Sequence, residues 1–327
     1  MDIRNKIFHI RDISDYRSEL MGWSIIWIMM LHFTFNQVKP LGFIAQYGFA
    51  GVDIFMLVSG FGLYYSLEKD SCLPNFYKKK LLRIFPAYYL IGIIHSVFFY
   101  HDDLLTYLYR FSTIDYWIGD TVGDWFVPTI VMYYLFTPFV KKIFNCRWQN
   151  IASIIGLITL VVIALAWYFA DKPHLLSRLH FFSLFRIASF LFGITCAYWL
   201  KKGISERYYF IILIAGIPFF IYLFPNHHQV YHYKYLSLLF LLPLFTICFV
   251  LLSRLFKKTS TLLVHIGAAS LEIFLIQDFF FKMITSQKLI ISEKWHDAIT
   301  ILMMAICVIL GIFIHRLIEK SRITHIL

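Results

Sequence analysis

Residues 20–33 read LMGWSIIWIMMLHF and residues 48–65 read GFAGVDIFMLVSGFGLYY. Counted with their aromatic flanks, both approach the roughly 17 to 25 helical residues that cross the hydrocarbon core of a bilayer. Each carries one ionisable group: His32 near the end of the first run, Asp53 near the start of the second. Such a group costs a few kcal/mol in hydrocarbon unless it faces water or a partner, so it marks a functional candidate. If the first run leaves the cytoplasm and the second returns, helix rise places both about one turn from the same membrane face. The spacing therefore predicts an imidazole and a carboxylate at matching depth, as a buried base requires. A structural alternative stays open, with His32 bonded to a backbone carbonyl and Asp53 capping a helix start after Gly51.

The rest of the chain supports the membrane setting. Of 327 residues, 60% are hydrophobic and 15% charged, well above the apolar share of soluble domains. Apolar segments of spanning length recur at 20–36, 46–67, 84–100, 123–140, 151–170, 182–200, 208–224, 235–253, 262–281 and 298–315. An all-α integral membrane protein of about ten transmembrane helices is expected. Positive charge tests the count, because short cytoplasmic loops collect Lys and Arg. With the N-terminus inside, twenty-one of the 30 Lys and Arg fall in alternate segments on one side, among them Arg17, Lys78–Lys80, Arg83, Lys201 and Arg316. Both termini are then cytoplasmic, and residues 1–19 form a short N-terminal segment of a single domain, 1–327. The formal charge of +11 follows from topology and contact with anionic lipid, and gives no reason to expect nucleic acid. The five cysteines, Cys72, Cys146, Cys196, Cys248 and Cys307, show no CxxC spacing, so neither a disulfide nor a metal site is expected. The first apolar run follows a polar, basic stretch and lacks a small-x-small exit, so it reads as a retained helix.

Seven segments in order resemble the acyltransferase-3 family of integral membrane acyltransferases. They are LMGWSIIWIMMLHF (20–33), GFAGVDIFMLVSGF (48–61), FYKKKLLRIFPAYYL (76–90), WFVPTIVMYYLFTP (125–138), FRIASFLFGITCAYW (185–199), SLEIFLIQ (270–277) and RLIEK (316–320). The resemblance implies transfer of an acyl group, usually acetyl, from cytoplasmic acetyl-CoA to a hydroxyl of a bacterial surface glycan or its lipid-linked precursor. It implies a multi-pass protein of the bacterial plasma membrane, with His32 catalytic. Imidazole suits general-base work near neutral pH, and Asp53 is expected to orient it. A homo-oligomer is left open.

Two positions depart from the family pattern. The family places an arginine eleven residues before the histidine, and Met21 stands there, with Arg17 one turn towards the cytoplasm. Many members also end the ninth-span motif in histidine, where this chain has Gln277. For the donor phosphates, Arg17, Lys80, Arg83 and Arg316 are the expected cations at the cytoplasmic face. Arg186, Trp125, Glu272 and Gln277 are the substrate-binding candidates, with Arg186 either stabilising an oxyanion or pairing with Asp53, and Glu272, deeper on the ninth helix, either binding donor or pairing with an inner arginine. The loop 100–122, rich in Tyr, Trp and Asp, reads as a sugar-holding surface or an interfacial aromatic belt. His227, His228 and His232 fit no firm metal site. The competing classes are a transporter or flippase using His32 and Asp53 as a proton relay, and a catalytically impaired family member. Transporters of this kind break helices at a midplane site, for which Gly60, Gly62 and Pro128 are the candidate positions.

Overall fold

A computed structural model describes residues 7–35, 38–118, 125–144, 178–223, 238–256, 260–288 and 293–326. Among them every regular element is helical. The long helices are α1 (Arg17–Phe33), α2 (Ala50–Lys69), α3 (Leu73–His95, continued by a π turn over Ser96–Tyr100), α4 (Phe126–Phe144) and α5 (Arg178–Lys202). They are followed by α6 (Arg207–Leu223), α7 (Leu242–Leu255), α8 (Ser260–Ala268), α9 (Ser270–Thr285) and α10 (His296–Ile326).

Helix lies at nine of the ten segments expected to span, and the fifth, 151–170, falls outside the described residues. Among the described residues three helices are long and apolar enough to cross a membrane, Ala50–Lys69, Leu73–Tyr100 and His296–Ser321, or four if the bent pair Thr261–Ala268 and Ser270–Thr285 is one span. Their outer faces suit lipid. On α10, for example, Ile301, Leu302, Ile309, Phe313 and Leu317 are exposed.

Two segments differ from their sequence reading. Helix α3 starts at Leu73 and not near residue 84, because Pro74 opens its first turn, where a missing N–H costs nothing. Lys78, Lys79, Lys80 and Arg83 therefore ride on a helix instead of a loop. The ninth segment, read as one span, is a pair: α8 and α9 meet at a 71° bend. The run there is Gly-Ala-Ala-Ser (267–270). Gly267 sits so close to α1 that a Cβ would come within 1.8 Å of the Ser18 carbonyl oxygen. The Ala268 carbonyl, lying at the break, accepts a hydrogen bond from Arg83. By contrast α2 runs unbroken through Gly60 and Gly62, and Pro128 lies in the first turn of α4, so neither position interrupts a helix.

Helices α2 and α5 make the closest pairing, through reciprocal glycines. A Cβ on Gly60 would lie 2.2 Å from the Phe190 carbonyl oxygen, and one on Gly193 2.0 Å from that of Leu57. Backbone contact of this kind is how helices associate where lipid removes the hydrophobic drive. Gly193→Val is therefore expected to push the helices apart, at about 1–3 kcal/mol or more. A thermal-shift scan of the detergent-solubilised variant checks this, and an unchanged midpoint would refute the packing argument.

Candidate functional site

Two cavities lie along α1, one at each end of a line about 22 Å long from Arg17 to His32. The first, of about 180 Å³, is lined by Ile28, Leu31, His32, Phe49, Val52, Trp125, Arg186 and Phe274. Four of the sequence candidates bear on it. His32, Trp125 and Arg186 line it directly, and Asp53 holds Arg186.

Asp53 does not stand against His32. Its carboxylate accepts hydrogen bonds from the Arg186 guanidinium and, at 2.6 Å, from the Ser189 hydroxyl. Arg186 NH2 also donates to the Phe49 carbonyl at 3.2 Å, and Asp53 and Arg186 are both buried. The physical reason is helix facing: Asp53 points from α2 into the tight seam with α5, whereas the His32 ring stacks on Phe281 of α9, with ring centroids 4.9 Å apart. Which way each side chain faces is not given by helix rise. The ion pair Asp53–Arg186 leaves Arg186 Nε buried without a hydrogen-bond partner among the described residues. His32 Nδ1 is in the same condition. A base and a guanidinium, each with an unused nitrogen, thus border one cavity.

Asp278 lies one helical turn from Phe281, the ring on which His32 stacks, on α9. Asp278 accepts from Lys282 at 2.7 Å, and both line a smaller space of about 20 Å³ with His95, Arg110 and Asp115. Sequence reasoning passed over His95 and Asp278. Both fall inside segments expected to span, so the rule that singled out His32 applies to them equally. Gln277 beside Asp278 is fully buried, and its amide oxygen and nitrogen find no partner among the described residues.

The second cavity, of about 360 Å³, is lined among others by Arg17, Met21, Phe55, Arg83, Phe126 and Glu319. Arg17 is exposed, and no hydrogen bond or ion pair holds it among the described residues. Met21 lines the same cavity one turn on. Arg83 is committed elsewhere, to the Ala268 carbonyl and to Glu319 at 3.3 Å. Its NH1 also lies 3.1 Å from His315 Nδ1, which is 3.0 Å from Glu272 Oε1. Glu272 occupies the first turn of α9, where the helix dipole favours a carboxylate. Arg83, His315 and Glu272 therefore brace the bend between α8 and α9, and among the described residues Arg17 is left as an uncommitted guanidinium in the cavity. Lys80 lies 5.7 Å from the Phe76 ring, and Arg316 is exposed on α10; neither lines the cavity. Lys79 is held by Asp70 at 2.8 Å, a bond that keeps the Asp70 carboxyl below the usual carboxylate range.

The acidic loop is largely spent on its own structure. Asp102 pairs with Arg110 at 2.9 and 3.0 Å, a bond that raises the guanidinium's affinity for its proton, and Asp103 caps the helix Leu104–Arg110 by accepting from Thr106 N–H. Asp120, His227, His228 and His232 lie outside the described residues. Among the described residues no group of three His, Cys, Asp or Glu is placed to hold a metal ion.

A family model described as "Acyltransferase domain" matches residues 20–317. A protein of Acidianus two-tailed virus, named as a candidate acetyltransferase (ORF330), is 25% identical over 139 residues. That match covers 40% of this chain and 42% of the viral one, so the chain spans well under half the length of this relative. No solved structure matches the chain.

Proposed function

The chain belongs to the acyltransferase-domain family, and from that premise we propose that it transfers acetyl from cytoplasmic acetyl-CoA to a hydroxyl of an extracytoplasmic surface glycan or its lipid-linked precursor. The observation that carries the proposal is the pair of cavities: an uncommitted guanidinium borders one, an imidazole and a guanidinium with free nitrogens border the other. On this reading the protein is multi-pass in the plasma membrane, with both termini cytoplasmic and the Arg17 cavity facing the donor. Arg17 meets a CoA phosphate, and the long, thin pantetheine carries the thioester towards His32. The acceptor oxygen attacks the thioester carbonyl carbon while His32 takes the hydroxyl proton. A C–O bond forms, the C–S bond breaks, and the proton passes from His32 to the CoA thiolate. Arg186, fixed by Asp53, lies on the same cavity and stabilises the developing oxyanion through its free N–H. Trp125 supplies an aromatic wall for the acceptor. Glu272 and Gln277 do not border this cavity, so their part in the proposal is to shape the helix that carries Phe281 and Asp278.

The bend at Ala268–Ala269 favours a second reading, a transporter or flippase, because broken helices serve such sites. Calorimetry on the purified protein separates the two. Acetyl-CoA is expected to bind, and Lys78→Ala, which removes an exposed lysine away from the cavity, is expected to leave binding unchanged. Absence of any CoA binding would reject the acyltransferase reading in favour of transport.

A further inference from the structure

Resting on that reading of the donor's entry, we propose that Phe126 decides which acyl groups reach His32. Phe126 lines the Arg17 cavity, and Phe274 lines the His32 cavity. Their ring centroids are 4.6 Å apart, and Phe55, which also lines the Arg17 cavity, lies 6.1 Å from Phe126 on the other side. All three are buried. Phe126 thus borders the cavity of the guanidinium and packs on Phe274, which borders the cavity of the imidazole, so these rings stand where the two spaces approach each other.

The layer is built to be crossed at one point. Phe55 is held in the middle of α2, opposite the close α2–α5 seam, and Phe274 lies in the second turn of α9, just past the bend braced by Arg83 and Glu272. Phe126 is the first residue of α4, where the backbone N–H groups have no preceding turn to bond. Its ring is the member of the layer that can turn aside. A thioester moving between the cavities has to displace that ring, and the displacement needed grows with the acyl group. Acetyl demands the least. Closed, the same ring keeps water of the His32 cavity away from a bound thioester, which suppresses hydrolysis when no acceptor is present.

The test uses membranes of the producing cells, which carry the native acceptor, supplied with an equimolar mixture of acetyl-CoA and butyryl-CoA bearing different isotopic labels. Mass spectrometry of the glycan fraction then gives a butyryl-to-acetyl ratio, a quantity that does not depend on how much protein folds. Phe126→Ala is expected to raise this ratio by about tenfold or more, the discrimination a few methylenes command in an apolar passage. Phe126→Trp is expected to lower it. Phe126→Leu, which keeps the helix start packed, is expected to lie between wild type and alanine and guards against a folding defect in the alanine variant. A ratio unchanged across the three variants, with transfer intact, would overturn the proposal. Transfer of neither acyl group by the wild-type protein would instead overturn the acyltransferase reading beneath it.

Discussion

His32→Ala is expected to lower acyl transfer by about 10²–10⁴-fold, the contribution of a positioned general base, while the protein still inserts and folds. The stability argument is local. His32 Nδ1 has no partner among the described residues, so truncation breaks no hydrogen bond there. What is lost is the stack on Phe281, a contact worth about 0.5–1.5 kcal/mol. Glycan acetylation by mass spectrometry in cells matched for protein level makes the measurement. Full acetylation in the variant would remove His32 from the chemistry, and absence of acetylation in both would point to a family member without activity.

How far the sequence carried this site depends on which coordinate of each residue is asked for. Axial position was legible. Helix rise put His32, Asp53 and Arg186 at one level, and they do gather about one cavity. Azimuth was not, because the direction a side chain takes depends on which helices are neighbours, and apolar segments of similar composition do not encode that. Asp53 therefore went to His32 on paper and to Arg186 and Ser189 in the fold. The bend near Ala269 was hidden for a related reason: Gly-Ala-Ala-Ser is compatible with a continuous helix, and the bend is seen only in the fold, where Gly267 packs on the Ser18 carbonyl and Arg83 holds that of Ala268. Cations show the same limit. The one-turn spacing from Met21 drew attention to Arg17, but that Arg83 is committed to the Ala268 carbonyl and Glu319 while Lys80 and Arg316 do not line the cavity is seen only in the fold.

Arg17→Ala is the second large effect expected, and it bears on the position where this chain departs from its family. Arg17 and Met21 are four residues apart on α1, share a face, and line the same cavity. A guanidinium at either place reaches the same space, since one turn displaces it by about 6 Å along the axis and the side chain is flexible. If Arg17 meets a donor phosphate, its loss removes a charge-assisted bond worth about 1.5 to 3 kcal/mol, tenfold or more in the Kd for acetyl-CoA. Structure is not the cause of such a loss, because no ion pair among the described residues depends on Arg17. The double variant Arg17→Ala, Met21→Arg is then expected to recover part of the affinity, by returning the charge to the position the family uses. Arg83→Ala should not be rescued in this way, since its guanidinium braces the Ala268 carbonyl and Glu319. Calorimetric affinity for acetyl-CoA across wild type, Arg17→Ala, Arg83→Ala and each of the two combined with Met21→Arg decides the matter. Wild-type affinity in Arg17→Ala would show that the exposed arginine is a solvated surface charge and that the donor is held elsewhere.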